Sequence, residues 1–221
     1  MSLARVTAFI ALSAVLAGCV GATARVVDSG GETVQQAQAE PYNGPKKRIA
    51  VSAFEYRAAQ GSREIGRGMS DMLTDALFNS GRFIVLERER LDDVTDEQDL
   101  ANSNRFKKET AAPKGQLEGA ELLIRGSVTE FEPNCRGGSA IVVSGKEACM
   151  AINVRIVDAK TGRVVNATTV EGTSGKGSVG FIYARSELPV GLGSYRKTPM
   201  EAAIRDCIET AVQHIVQSKL E

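Results

Sequence analysis

Tryptophan is absent from this chain, histidine occurs once, at His214, and aromatic side chains make up 5% of the residues. One histidine cannot build a multi-imidazole metal site, and no CxxC spacing offers thiolates in its place. An excess of either charge is missing too. Lys and Arg number 27, Asp and Glu 27, so nothing steers the molecule toward nucleic acid. Long hydrophobic runs are also lacking. The N-terminal run Val6 to Leu16 is shorter than the roughly 20 residues a bilayer core requires of a spanning helix. Zinc-protease, EF-hand, hydrolase-elbow and dinucleotide signatures do not occur. The residues therefore give no support to catalysis, a cofactor or a metal site, and the chain reads as a protein that binds or assembles.

The N-terminus has Arg5, the apolar run, and then Leu16-Ala17-Gly18-Cys19. Small residues before a cysteine at the end of a short apolar stretch predict a signal peptide over residues 1–18, cut before Cys19. The pattern resembles the lipobox of bacterial lipoproteins, which implies lipidation of Cys19 by palmitate-type acyl chains. Two or more chains anchor stably, at about 0.8 kcal/mol per buried methylene. Val20 follows in place of an aspartate, and by resemblance to sorted lipoproteins the expected location is the outer membrane, with the folded domain in the periplasm. Residues 19–45 are rich in Gly, Ala, Gln, Glu, Ser and Thr. They read as a flexible tether that lets the domain stand several nanometres off the membrane at full extension.

About 175 residues remain, enough for one domain with a real core. Export makes disulfides permissible. Cys135 and Cys149 flank a short stretch with Gly137-Gly138 and Ser144-Gly145 turns, and the expectation is that they bridge. Closing a loop of about 15 residues is worth roughly 3 kcal/mol in the chain-entropy model. Cys207 falls on the apolar face of a predicted helix and reads as a buried free thiol.

The spacing predicts a strand over 48–56. A helix follows, with Ile65, Met69, Met72, Leu73, Ala76 and Leu77 on one face, Ser62 as N-cap and Gly81 as stop. A short strand over 82–86 leads into a charged helix over 87–100 with Leu91 and Val94 inward, and a polar loop over 101–115. Strands follow over 121–131 and 151–158, and Lys160-Thr161-Gly162 turns the chain into 164–170 to make a hairpin. The last helix opens at Thr198-Pro199-Met200-Glu201, a capping box with proline at the first helical position. Its stripe is Ile204, Cys207, Ile208, Ala211, Val212 and Ile215. His214 lies beside that stripe and reads as solvent-facing. Gly61-Ser62-Arg63-Glu64-Ile65-Gly66-Arg67-Gly68 stands where a phosphate-binding loop would sit. It lacks the Lys followed by Ser or Thr that such a loop needs, so it reads as a tight turn into a helix.

Several strings together resemble the CsgG/HfaB family of curli-secretion lipoproteins. They are Lys47-Arg48-Ile49-Ala50-Val51, Met72-Leu73-Thr74-Asp75-Ala76-Leu77, Gly81 to Arg88, Gly119 to Val128, Asn153 to Gly162, and the last helix from Ala202 to Val216. The resemblance implies an α/β domain over 46–221: a mixed sheet of about four to five strands flanked by two or three helices, with two β-hairpin insertions at 134–150 and 172–197. It also implies an outer-membrane homo-oligomer in which hairpins form a shared barrel for exported fibre or adhesin subunits. Val179, Phe181 and Tyr183 would alternate on one arm of the second insertion, and Leu188, Val190 and Leu192 on the other. Ala58 to Arg63 is much shorter than the family's pore-narrowing loop and lacks its Asn-Phe pair, so no constriction residue carries over. The alternative is a periplasm-facing interaction module for other envelope proteins, with no pore.

Overall fold

The computed structural model describes residues 23–26, 42–103, 105–136, 147–174, 188–218 and 220. In chain order the elements are β1 (Thr23–Val26), β2 (Arg48–Val51), β3 (Glu55–Tyr56), α1 (Arg63–Asn79), β4 (Ile84–Leu86), α2 (Leu91–Ala101), β5 (Leu122–Arg136), β6 (Glu147–Asp158), β7 (Val164–Ser174), a 3-10 turn (Gly193–Tyr195) and α3 (Pro199–Gln217). Among the described residues these make one seven-stranded mixed sheet in the order β1-β7-β6-β5-β2-β4, with β3 also paired to β5. The fold class is the expected α/β, with more strands than the four or five anticipated.

The sheet is built around the antiparallel β5–β6–β7 meander, with β2 and β4 added in parallel. Strand alternation sorts the meander into two faces. Ile124, Val128, Phe131, Met150, Ile152, Val154, Ile156 and Val170 point one way and are buried. α1 and α3 pack on that face with the stripes the helical spacing predicts. Ile65, Met69, Met72, Leu73, Ala76 and Leu77 are buried on α1, and Ile204, Cys207, Ile208, Ala211, Val212 and Ile215 on α3. Full burial of each large aliphatic side chain is worth about 1.5–3 kcal/mol, which fixes the face each helix presents.

The expected first strand is two pieces. Four residues separate Val51 from Glu55, while their partners Ile124 and Ser127 are three apart. The extra residue bulges the chain and turns Phe54 inward over Gly126. A Cβ at Gly126 would lie 2.2 Å from the Phe54 ring, so only glycine leaves room for it. α2 begins at Leu91 and not at residue 87, because the Glu87 carboxylate accepts the Glu89 and Arg90 amides at 2.7 and 3.0 Å and holds a turn there. Its buried residues are Gln98 and Ala101, whereas Val94, expected inward, is 38% exposed.

β5, β6 and β7 all run further than their patterns indicated. Pro133 breaks the alternation in β5, but it falls where the register shifts between Glu132 and Arg136, so the missing N–H costs no regular ladder bond. The stretch 19–45 is not coil throughout, since Thr23–Val26 forms an edge strand antiparallel to β7, Thr23 opposite Thr173 and Val26 opposite Val170. At the start of α3 the capping box is displaced by one residue. Glu201 accepts the Lys197 amide at 2.6 Å, while the Thr198 hydroxyl donates to the Tyr195 carbonyl.

Candidate functional site

One end of the sheet gathers the features singled out in the sequence. β5 leaves it at Arg136, β6 returns to it at Glu147, β7 leaves it at Ser174, and β1 starts there at Thr23. Antiparallel pairing explains the coincidence. β1 runs opposite to β7, so the chain N-terminal to Thr23 enters at the same rim from which β7 departs. Residues 137–146 and 175–187, the centres of the two expected hairpin insertions, lie outside the described residues, as do Cys19, Val179, Phe181 and Tyr183.

Cys135 and Cys149 sit at this rim with their sulfurs joined and their Cα atoms 5.6 Å apart. Cys149 faces away from the helices, opposite Glu132 on β5. Behind it, Phe131 is buried on the other face with Tyr56 and Tyr195 edge-on to it at centroid distances of 6.4 and 4.9 Å. Tyr56 donates its hydroxyl to the Gln60 carbonyl. Burial, with Tyr195 nearby, pushes its pKa up to about 12, so it stays a neutral donor.

The chain returning from the second insertion does not form the expected strand of Leu188, Val190 and Leu192. Leu192 is fully buried and Val190 is 86% exposed. Leu192 donates its amide to the Pro189 carbonyl at 3.0 Å in a turn. Gly191 takes a φ of +93°, and a Cβ there would lie 2.4 Å from the Glu64 carbonyl. Leu192 rests on Gly68 of α1, where a Cβ would approach it to 2.7 Å. Burying Leu192 in this niche outweighs strand pairing for so short a segment. Two of the three glycines of 61–68 are accounted for by packing. Gly66 and Gly68 lie within α1 as close-packing positions, Gly66 against the Phe54 carbonyl, and they do not form a phosphate cradle. Ser62 donates to Glu64 in place of capping the helix, and that hydroxyl holds the exposed Glu64 carboxyl below the usual carboxylate range.

His214 lies elsewhere and is not solvent-facing. It is half-buried, and its Nε2 is 3.0 Å from Asn166 Oδ1. Asn166 donates to Ser218 Oγ, which donates back to the His214 carbonyl, so the group ties the end of α3 to β7. Cys207 is a buried free thiol under Gly172. Burial, together with the charges of Asp206, Glu130 and Glu171, pushes its pKa up. Sequence reasoning missed the acid beside it. Asp206 is 5% exposed with no hydrogen-bond partner for Oδ2, and burial plus Glu209 raises its pKa to about 6. Its neighbour Arg205 is bound to Glu201 at 2.8 Å. Among the described residues no group of three or more His, Cys, Asp or Glu side chains could hold a metal ion, and no helix is long and apolar enough to cross a membrane.

The sequence model of the family described as "Curli production assembly/transport component CsgG" matches residues 30–221. The chain belongs to the CsgG family. The Curli production assembly/transport component CsgG of Citrobacter koseri is 24% identical over 204 residues, spanning 80% of this chain and 74% of that protein. Its namesake from Escherichia coli K12 matches to the same extent. Among solved structures, a hypothetical protein of Chlamydia trachomatis, CT253, superposes with a TM-score of 0.48 at 14% identity, covering 78% of this chain and 99% of that one. The family assignment rests on the sequence match. The CsgG relatives are named as transport and assembly components and not as enzymes.

Proposed function

We propose that this CsgG-family chain is an outer-membrane lipoprotein, anchored through Cys19, that works in the export or assembly of extracellular fibre or adhesin subunits, with the rim of its sheet turned to the bilayer. The observation that carries the reading is topological. Thr23 and both hairpin segments leave the sheet at one end. Only Val20 to Ala22 separates Cys19 from β1. Fully extended, that link reaches about 13 Å, far less than a free tether of the whole N-terminal stretch. Lipid on Cys19 would hold the rim close against the membrane and present residues 137–146 and 175–187 to it.

A second reading, an assembly module that forms no pore, is favoured by length. A membrane-crossing strand needs about 9–11 residues, so a hairpin needs about 20. Between the described strand ends lie residues 137–146 in the first insertion and residues 175–187 in the second, about half to two thirds of that requirement. Ala148, Met150 and Leu192, which flank these stretches, are buried in the domain and are not free to lengthen them.

Purification from outer membranes in mild detergent tests both readings. Cys19→Ser is expected to abolish lipid attachment by mass and membrane partitioning by fractionation. If the Cys19→Ser chain still partitions with membranes, the anchoring claim fails. A heat-stable ring that conducts ions in planar bilayers supports the channel; a protein that is anchored but non-conducting supports the pore-free module.

A further inference from the structure

Tyr42-Asn43-Gly44-Pro45 forms the link that leads into β2 and lies outside any helix or strand. Asn43 is exposed, and it is the only asparagine of the chain followed by glycine. Among the described residues, neither the Asn43 side chain nor the Gly44 amide makes a hydrogen bond. Other asparagines are held. Asn102 donates its side-chain amide to the Gln98 carbonyl, Asn153 accepts from Thr169, and Asn166 is tied to Ser218 and His214. The turn itself is a clasp. The Tyr42 ring folds back over Gly44, where a Cβ would lie 2.5 Å from the Tyr42 hydroxyl. That hydroxyl donates to the Pro45 carbonyl at 3.3 Å, and the Arg82 guanidinium stands 5.2 Å from the ring centre.

We propose that Asn43 is a site of spontaneous deamidation and that its isoaspartyl product opens this clasp. The Gly44 nitrogen attacks Asn43 Cγ, closing a five-membered succinimide ring and expelling the side-chain nitrogen as ammonia. Water then opens the ring at either carbonyl. One opening leaves aspartate. The other leaves isoaspartate, whose backbone runs through Cβ and Cγ while the former main-chain carbonyl carbon becomes a free carboxylate. In sum, one amide and one water are consumed and one carboxylate and one ammonium are formed. Glycine favours the closure because no Cβ crowds its nitrogen and its backbone turns freely. Aspartate adds only a charge. Isoaspartate also adds a carbon to the backbone between Tyr42 and Pro45, so the Tyr42 hydroxyl no longer meets the Pro45 carbonyl. The inference is independent of lipid attachment and of whether a pore forms.

Peptide mass analysis of the folded full chain, aged at pH 7.5 and at pH 8.5, tests the site. Position 43 is expected to change from amide to acid mass at least tenfold faster than any other asparagine, and to accept methyl groups from an isoaspartyl methyltransferase. The rate should rise with pH, since the attacking nitrogen must lose its proton. Asn43→Gln, which would have to close a six-membered ring, should block the product and keep the melting temperature. Retention of the amide at Asn43 in the folded chain while the chain in urea converts, or conversion no faster than at Asn79 or Asn102, would overturn the site. Trypsin tests the clasp. The aged isoaspartyl form should be cut after Lys46 severalfold faster than Asn43→Asp, which has the same charge and no added carbon. Equal rates of cutting would overturn the opening.

Discussion

Phe54 is gripped by two glycines, and the grip yields a quantitative test. Its ring covers Gly126, where a Cβ would lie 2.2–2.4 Å from three ring carbons, and its carbonyl lies 2.4 Å from the Cβ position of Gly66. The ring cannot retreat from Gly126 without pushing its own backbone into α1. Gly126→Ala must therefore expel a side chain that is 4% exposed. Losing that burial costs about 1.5–3 kcal/mol, and overpacking adds strain of order 1–3 kcal/mol where the ring stays partly in place, so a loss of about 2–4 kcal/mol is expected. Phe54→Ala alone should cost about 3–5 kcal/mol. In that background Gly126→Ala should be neutral or stabilising by about 0.5–1 kcal/mol, since the obstructing ring is gone and alanine loses less backbone entropy than glycine. Urea denaturation of the four proteins gives the double-mutant cycle, with an expected coupling of about 2–4 kcal/mol. Additivity within about 0.5 kcal/mol would refute the close-packing account and the bulge that depends on it.

Two further predictions concern the rim and α3. Cys135→Ser with Cys149→Ser should reduce stability by about 3 kcal/mol in the chain-entropy account, read as the drop in urea midpoint. Intact mass of the exported protein under non-reducing conditions should be two hydrogens below the thiol form, and a mass matching free thiols would remove the bridge. Asp206 has a folded-state pKa of about 6, above the 3.8 usual for an aspartate, raised by burial and by Glu209. Its charged form therefore penalises folding fully above about pH 6, and the penalty is relieved as pH falls toward about 4, where both states are protonated. Asp206→Asn should raise the melting temperature at pH 7.5, by the equivalent of about 1–3 kcal/mol, and leave it nearly unchanged at pH 4. Equal shifts at both values would show that the charge is not the cause.

Periodicity alone determined the parts that are apolar on one side. The stripes of α1 and α3 and the burial of Cys207 follow from side chains that have a single favourable place to go, and the structure puts them there. The charged helix was legible as a helix but not in its start, because Glu87 spends its carboxylate on two backbone amides that composition cannot foresee. Leu188, Val190 and Leu192 alternate as a strand would, yet a niche over Gly68, formed by a helix more than a hundred residues earlier, claims Leu192 instead.

The N-terminal stretch separates the two kinds of information most sharply. Residues 19–45 lack the large apolar side chains that would fix a strand by burial, so sequence reads them as coil. Thr23–Val26 is a strand because β7 offers a free edge of backbone donors and acceptors. Sequence thus determined what each segment could bury. Tertiary structure decided which rim the N-terminus meets and which sheet face α1 and α3 cover, since both depend on strand order and hydrogen-bond register, which no local pattern encodes.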